Sequence, residues 1–287
     1  MGRKRRKRVV CSNCGQHLNH TMNYCFKCGQ ENHIKRVSVK MLLSDFSNTY
    51  FSFDSKLLVS LKHLLFKPSF LSTEYLNGRI ETYLRPMRMY VFISFVFFLL
   101  NGLLTTNDTY DIVDFTKDGQ SVDIELVQED LKANPDLFEV DGKLLEGKFR
   151  KIFSDNKEIK LFVGVLMSKL PILFFLLIPV FGALLFIFFY KKSYFYVDHL
   201  VFVLHLQSFA FVLLTLHVII ESIVNYDALG IVCLVFLIYG FIAARRFYKL
   251  GKVATFFRLT LTGLFHVFFS VIIFLAFFFI VLRYYNV

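Results

Sequence analysis

Over the last two thirds of the chain, long apolar runs alternate with polar connections, and each run is close to the length of a bilayer crossing. A transmembrane helix needs roughly 20 apolar residues. The pattern predicts five such helices, the first and fourth of them short, so whether the first fully spans is left open. Pro171 and Pro179 fall in the second and predict a kink. The predicted spans are Met89–Leu104, Leu170–Tyr190, Leu200–Ile220, Leu229–Ala244 and Leu259–Leu282.

Ahead of these runs, residues 34–88 have the 3.6-residue periodicity of amphipathic helices. Ser38 and Asp54 are suitable N-caps, and the leucine-rich stretch after Asp54 ends before Pro68. A further helix would begin at Pro68 and end before Gly78. Leucine stripes flanked by lysine suit helices in the membrane interface. Packing against the protein's own helices explains the same pattern, and the sequence does not decide between the two.

The connection at residues 105–160 is long for a simple loop. Two alternating stretches flank Asp118-Gly119, which is a hairpin signal, and a helical pattern follows from about Lys143. We expect a small extracytoplasmic module of two strands and a helix. It could sense an external ligand, but we favour a spacer, since no residue pattern marks a binding site.

Composition and charge agree with a membrane protein. Hydrophobic residues make up 55% of the chain, above the roughly 45–50% of soluble domains. The net charge of +11 is uneven: residues 1–88 and 161–287 are basic, whereas residues 105–160 are acidic. Because positive loops stay inside, we expect a cytoplasmic N-terminus and an extracytoplasmic C-terminus. No secretory signal peptide is expected, because cysteines and polar residues follow the basic start.

The N-terminal segment has the spacing C-x2-C-x10-C-x2-C. Two such pairs can direct four sulfurs to one point, which suits tetrahedral Zn²⁺. Gly15 and Gly29 follow the second cysteine of each pair and can adopt the positive φ of a tight turn. The sequence therefore predicts a structural zinc ribbon, and a shell closed by four thiolates leaves no open position for catalysis. The predicted ligands are Cys11, Cys14, Cys25 and Cys28.

Disulfides are the alternative for these cysteines, although a reducing cytosol disfavours them. His17, His20 and His33 could substitute as ligands, but we expect them to be ordinary exposed histidines. The chain has no HExxH motif, no glycine-rich phosphate loop and no Ser/His/Asp pattern. We therefore expect that the protein is not an enzyme.

Polar residues recur within the predicted spans, where they are costly. The third span contains several, and His266 on the fifth lies at a depth similar to that of His205. Hydrogen bonds between helices explain them most simply. A proton or ion path, or a haem or metal held by facing histidines, remains the alternative. The candidate intramembrane site comprises His205, His217, Glu221 and His266.

From the cysteines through the first span, the chain resembles the bacterial membrane proteins of domain-of-unknown-function family 3667. The residues that carry the resemblance are YCFKCGQEN, the helical stretch RVSVKMLLSDFSNTYFSFDSKLLVSLKHLLFKPS, and EYLNGRIETYLRP. The family's pattern at this turn is Y-x2-G-x-R-x3-Y. In this chain the turn falls on Tyr75, Gly78 and Arg79, with Gly78 and Arg79 adjacent, and Tyr83 therefore lies one place from the family's position. The resemblance implies a bacterial inner-membrane location and no established activity.

The expected fold is mainly α: a polytopic helical membrane protein with a small N-terminal zinc ribbon and interfacial amphipathic helices. We divide it into a basic tail and ribbon at 1–33, amphipathic helices at 34–88, a first span at 89–104, the outer module at 105–160 and a four-helix region at 161–287.

We expect an adaptor or an assembly or regulatory protein that binds a cytoplasmic or membrane protein partner. A transporter or channel for a small solute, ion or proton, using the His-rich third span, is the alternative. Anionic lipid headgroups are expected to contact the basic run, whereas nucleic acid is not expected as its partner. The run comprises Arg3, Lys4, Arg5, Arg6, Lys7 and Arg8.

Overall fold

The structure, a computed structural model, describes residues 8–19, 21–32, 56–104, 148, 152 and 156–285. The expected helix start at Ser38, the outer hairpin and most of the basic run lie outside these residues. The described part is helical, with isolated antiparallel bridges near the N-terminus in place of strands. Its helices are α1 (Lys56–Phe66), α2 (Phe70–Leu76), α3 (Pro86–Leu104), α4 (Asn156–Ser168), α5 (Leu170–Phe188), α6 (Tyr196–Val224), α7 (Leu229–Tyr248) and α8 (Lys252–Tyr284).

Five of these helices, α3 and α5 to α8, are long and apolar enough to cross a membrane. The prediction of a helical membrane protein with five spans is therefore confirmed. The 19 residues of α3 give a length of about 28 Å, close to the hydrocarbon thickness of about 30 Å. Most of the helices run past their predicted ends, because intrahelical hydrogen bonds continue through polar flanks that a hydropathy pattern excludes. The largest difference is at α8, which begins at Lys252 instead of Leu259.

The described residues form two compact units, one within 1–101 and 176–269, the other within 102–175 and 270–287. The second has its own apolar core, in which the ring of Phe162 packs edge-on against Phe278 and Tyr285. The Lys148 ammonium donates hydrogen bonds to the carbonyls of Arg283 (2.6 Å) and Tyr285 (2.9 Å). The buried residues of this core are Ile152, Phe162, Leu166, Val281 and Leu282.

Helix α6 is the central element of the first unit. Its first half is buried almost continuously, whereas its last residues are exposed. Asp198 accepts a hydrogen bond from the Phe195 N–H (2.8 Å) and so caps the first turn. His199 shares a 2.7 Å hydrogen bond with the Tyr248 hydroxyl of α7. Tyr248 also stacks on Phe189, with ring centroids 4.4 Å apart. These contacts hold α6 against α7 and the end of α5.

Helices α1 and α2 form a hairpin that packs on α6 and α7. Ser72 of α2 is buried and hydrogen-bonds to His205 Nδ1 of α6 at 2.9 Å. The Tyr239 hydroxyl of α7 donates to the Leu64 carbonyl of α1 at 2.5 Å. The two helices therefore pack against the protein's own spans, one of the two alternatives left open by the sequence. Lipid contact by the exposed side chains of Leu58 and Phe66 stays a prediction.

The turn between α1 and α2 differs from its prediction. We expected a helix to begin at Pro68, but residues 67–69 form a turn and α2 begins at Phe70. Ser69 lies in the left-handed region with φ 66°, which reverses the chain before α2. Gly78 follows α2 with φ 92°, as expected for a glycine just past a helix end.

Candidate metal centre and intramembrane polar residues

Two like turns carry the four cysteines. In the first turn the Gly15 N–H donates to the Cys11 carbonyl at 3.0 Å, and in the second the Gly29 N–H donates to the Cys25 carbonyl at 2.8 Å. Gly15 and Gly29 have φ of 74° and 73°, so both adopt the left-handed conformation predicted for them. We call residues 8–32, apart from residue 20, the cysteine module.

The similarity of the two turns is also visible in the sequence as a repeated hexapeptide, which the cysteine spacing alone does not describe. The hexapeptide C-x2-C-G-Q occurs at residues 11–16 and again at residues 25–30. Each copy is closed by an antiparallel bridge, Val10 with His17 and Tyr24 with Glu31. The module is therefore a duplicated turn, and each copy contributes two sulfurs.

The four sulfur atoms converge on one point. Cys11 Sγ lies 3.6 Å from Cys28 Sγ, Cys14 Sγ lies 3.6 Å from Cys25 Sγ, and all four lie within 4.8 Å of one another. A tetrahedron with metal–sulfur bonds of about 2.3 Å has edges of about 3.8 Å, close to these separations. Disulfides, with S–S bonds of about 2.05 Å, do not fit them, and all four cysteines are free. The arrangement can hold a metal ion.

Backbone donors and neighbouring thiols govern the charge on these sulfurs. Burial disfavours the Cys25 thiolate, but the N–H groups of Cys28 and Lys27 donate to it and, with nearby thiols, lower its pKa to about 7. The Gln16 N–H stabilises the Cys14 thiolate, yet desolvation and three neighbouring thiols raise the pKa of Cys14 to about 12. Four thiolates therefore oppose one another unless a cation neutralises them.

Histidine ligands are not needed for this geometry. His17 is exposed and is not part of the cluster, while His20 and His33 lie outside the described residues. Among the residues that the structure describes, the four cysteines are the only group of three or more metal-ligating side chains close enough to share an ion.

The cysteine module is hydrogen-bonded to the turn that follows α2. Asn13, between the first two cysteines, accepts hydrogen bonds from the N–H (3.1 Å) and hydroxyl (2.6 Å) of Thr82. Gln30, just after the second pair, donates to the Gly78 carbonyl at 2.6 Å. A Cβ on Gly78 would lie 3.3 Å from the Ser12 Cβ. Both cysteine turns thus contact residues 78–82, which we call the docking turn. The sequence did not predict this contact.

The four candidate intramembrane residues make separate contacts. His205 Nδ1 lies near the Val201 carbonyl (3.0 Å) as well as Ser72. His217 Nε2 lies 3.4 Å from Glu221 Oε2 and 3.9 Å from Asp227 Oδ1, at the exposed end of α6. These contacts favour the simple explanation, in which polar groups in the spans bond to neighbouring helices or to water at the ends.

In the described part of the chain, some buried polar atoms of the bundle have no hydrogen-bond partner, and two of them belong to the candidate residues. His266 Nδ1 of α8 is one of them, and its ring packs against Phe181 of α5 with centroids 4.6 Å apart. Nε2 of His199 and Oε1 of Gln207 on α6, together with Nδ1 of His217, are also buried without a partner among the described residues. A proton or ion path through these groups stays a prediction.

Comparison with known proteins gives a match that covers the segment containing the docking turn. Residues 54–98 match the model of the family described as "Protein of unknown function (DUF3667)". No curated protein and no solved structure matches the chain. The matched range includes α1, α2, the turn at residues 78–82 and the first part of α3. The resemblance to domain-of-unknown-function family 3667 is therefore confirmed, and residues 54–98 are the part of the chain that carries it.

Proposed function

We propose that the protein is a membrane-anchored adaptor, or an assembly or regulatory protein, whose cysteine module binds structural Zn²⁺. The four convergent sulfurs and their backbone N–H donors support zinc, because thiolates in tetrahedral array are its preferred structural ligands. The residues that would hold it are Cys11, Cys14, Cys25 and Cys28. The metal would fold the module and take no part in a reaction, since four thiolates leave no position for substrate.

The exposed apolar side chains of the module carry the adaptor proposal. Phe26 and Tyr24, beside the second cysteine pair, are 69% and 62% exposed, and Val9 is 50% exposed. Exposed aromatic residues on a rigid support are typical of protein-binding surfaces. Lys27 and the basic run lie next to them in sequence, so the proposed partner is a protein whose surface combines apolar and acidic side chains.

The proposed location is the inner membrane of a bacterium, with the N-terminus cytoplasmic and the C-terminus extracytoplasmic. The basic segments at 1–88 and 245–258, which connect or precede the spans, support this orientation. The proposal also includes attraction of Arg8 and its basic neighbours to anionic headgroups. A reporter active only outside the cytoplasm, fused to either end, tests the orientation: the C-terminal fusion should be active and the N-terminal fusion inactive.

Site-specific photo-crosslinking tests the adaptor function. A photoreactive amino acid replaces Phe26 in the full-length chain, and native membranes are irradiated. We expect one discrete crosslinked protein, identified by mass spectrometry, which disappears when Cys14→Ser and Cys28→Ser abolish the metal site. The matched control places the same photoreactive residue at Tyr226, which is also exposed (54%) but lies between α6 and α7. The adaptor proposal is wrong if position 26 yields no protein adduct, or the same adducts as position 226.

A transporter or channel remains the second candidate. The buried Nδ1 atoms of His217 and His266, which have no hydrogen-bond partner among the described residues, favour it, because polar groups at membrane depth often line a path for solutes or protons. Flux into liposomes that contain the purified protein tests this function. A transporter should lose flux in His205→Ala and Glu221→Ala, whereas an adaptor should show no flux above empty liposomes.

A further inference from the structure

A group of basic side chains lies at the tight turn between α7 and α8. The turn comprises residues 249–251, and Lys249 adopts the left-handed conformation with φ 55°. The Lys249 and Leu250 N–H groups both donate to the Arg245 carbonyl, which closes the end of α7. A link of this length keeps the last turn of α7 close to the first turn of α8. The basic patch, as we call this group, comprises Lys191, Arg245, Arg246, Lys249, Lys252 and Arg258.

Aromatic contacts hold the separate parts of the basic patch at one place. The Tyr194 hydroxyl, between α5 and α6, donates to the Phe247 carbonyl at 2.8 Å, and the Lys191 ammonium lies 5.8 Å from the centroid of the Tyr194 ring. The guanidinium of Arg258 lies 6.0 Å from the ring centroid of Phe189, at the end of α5. The rings of Phe189 and Tyr194 both pack against α7. Cations from three segments therefore surround one aromatic cluster.

The positive charge of the basic patch is not offset by ion pairs. Its six cations take part in none of the ion pairs between described residues. Acidic residues are also scarce in the sequence around it: Asp198 is the only one in residues 159–220, and residues 228–287 contain none. Asp198 accepts a hydrogen bond from the Phe195 N–H as the cap of α6, while Glu221 and Asp227 lie at the other end of that helix. The basic patch therefore keeps an excess of positive charge.

The position of the basic patch along α8 indicates its surroundings. The part of α8 from Lys252 to Arg258 is about 10 Å long, and the apolar run begins at Leu259. The headgroup layer on each side of a bilayer is about 5–8 Å thick, so this part of α8 matches its depth. Phe256 and Phe257 lie in the same stretch and are 58% and 66% exposed. Apolar surface that an acyl chain can contact therefore adjoins the cations.

We propose that the basic patch is a binding site for an acidic phospholipid. The planar guanidinium groups of Arg245, Arg246 and Arg258 match phosphate oxygens, and the three lysines add positive charge. A cluster of about four to eight basic residues beside a span is typical of anionic headgroup recognition. Positive charge alone is enough to orient a loop, but orientation does not require the aromatic contacts that gather cations of three segments. The site is independent of the cysteine module and of the adaptor function.

Native mass spectrometry of the full-length protein in detergent tests the lipid site. Phosphatidylglycerol is titrated as the acidic phospholipid, and zwitterionic phosphatidylcholine serves for comparison. We expect tighter binding of phosphatidylglycerol. Arg245→Gln and Arg246→Gln should each weaken that binding about fivefold, the contribution of one basic residue near an anionic surface, and the double variant about 25-fold. Both side chains are exposed, so the substitutions should not disturb folding. Lys252→Gln, in the exposed first turn of α8, is an independent variant.

Lys169→Gln is the matched control. Lys169 is also exposed and carries the same charge, but it directly precedes α5, whose opposite end lies at the basic patch. This substitution should leave phosphatidylglycerol binding unchanged. Displacement of the lipid by an equal concentration of glycerol 3-phosphate would identify a soluble phosphate ester as the ligand and overturn the lipid assignment. The proposal is also overturned if the two lipids bind alike, if the variants of the basic patch retain the original affinity, or if Lys169→Gln weakens binding equally.

Discussion

Removal of the metal from the cysteine module should unfold the module and leave the helical bundle folded. The module has very little core: Leu18 is its only buried aliphatic side chain among the described residues, packed with Cys11 and Cys25. Burial of one leucine contributes about 1.5–3 kcal/mol, whereas structural zinc in small domains contributes about 10–16 kcal/mol. The metal should therefore dominate the stability of the module.

Hydrogen exchange measured by mass spectrometry on the intact protein in detergent tests this prediction. In the metal-bound protein, the amides of Leu18 and Asn32 should be protected, since each donates to a backbone carbonyl across its turn. After chelation, or in Cys14→Ser, peptides from the module should exchange at the rate of an unfolded chain. Peptides from residues 78–84 should exchange faster as well, because Asn13 and Gln30 no longer hold the docking turn. The first half of α6 should not change.

Cys233→Ser is the matched control, since Cys233 is exposed and lies outside the cluster. It should retain the metal, measured by elemental analysis, and the exchange pattern of the unaltered protein. Protection of the module in protein verified to contain no metal would refute the reasoning, because the hydrogen bonds and Leu18 would then suffice. Simultaneous loss of protection in α6 would also refute it, since the bundle would depend on the module.

Three further outcomes test the packing. The contact between α2 and α6 can be tested by a double-mutant cycle of Ser72→Ala and His205→Ala, with the free energy of unfolding measured in mixed micelles. The two substitutions should show a coupling energy of about 0.6 kcal/mol, and at most about 1.7 kcal/mol. No coupling would mean that α2 does not pack on α6 as described. Gly78→Ala should destabilise the docking turn by about 1–2 kcal/mol, because its φ of 92° is unfavourable for a side chain. This should appear as faster hydrogen exchange at residues 78–84 with the metal content unchanged. Gly182→Ala should lower the stability by about 1–3 kcal/mol, measured by thermal unfolding, because its Cβ would lie 2.7 Å from the Leu200 side chain.

The helices were predictable because each is specified locally. In lipid every backbone N–H and C=O must bond within its own segment, so a long apolar run such as that of α5 is sufficient to predict a helix. The residues at which the helices begin and end were less predictable than the helices themselves, because hydropathy does not mark polar residues within a helix. The first turns of α8 contain Lys252 and Arg258, which hydropathy excludes, although the helical backbone continues through them.

The cysteine centre was also predictable from sequence, because short-range geometry determines it. Two cysteines separated by two residues and followed by glycine form the same turn wherever the glycine can adopt positive φ, as Gly15 and Gly29 do. What the spacing did not indicate was the contact of both turns with residues 78–82. That contact depends on the hydrogen bonds that Asn13 accepts from Thr82 and on the one that Gln30 donates to the Gly78 carbonyl. The side chains of Asn13 and Gln30 belong to no periodic pattern in the sequence.

The sequence by itself determined that this is a helical membrane protein and that its four N-terminal cysteines can gather around one ion. Only the tertiary structure decided that α2 packs on α6, where Ser72 and His205 meet across 133 positions of the chain, and that Lys191 and Arg258 meet at one aromatic cluster. The physical reason is the range of the interactions. Helices and cysteine turns follow from contacts within a few residues, whereas these sites depend on how distant elements pack, and many sequences satisfy the same local pattern.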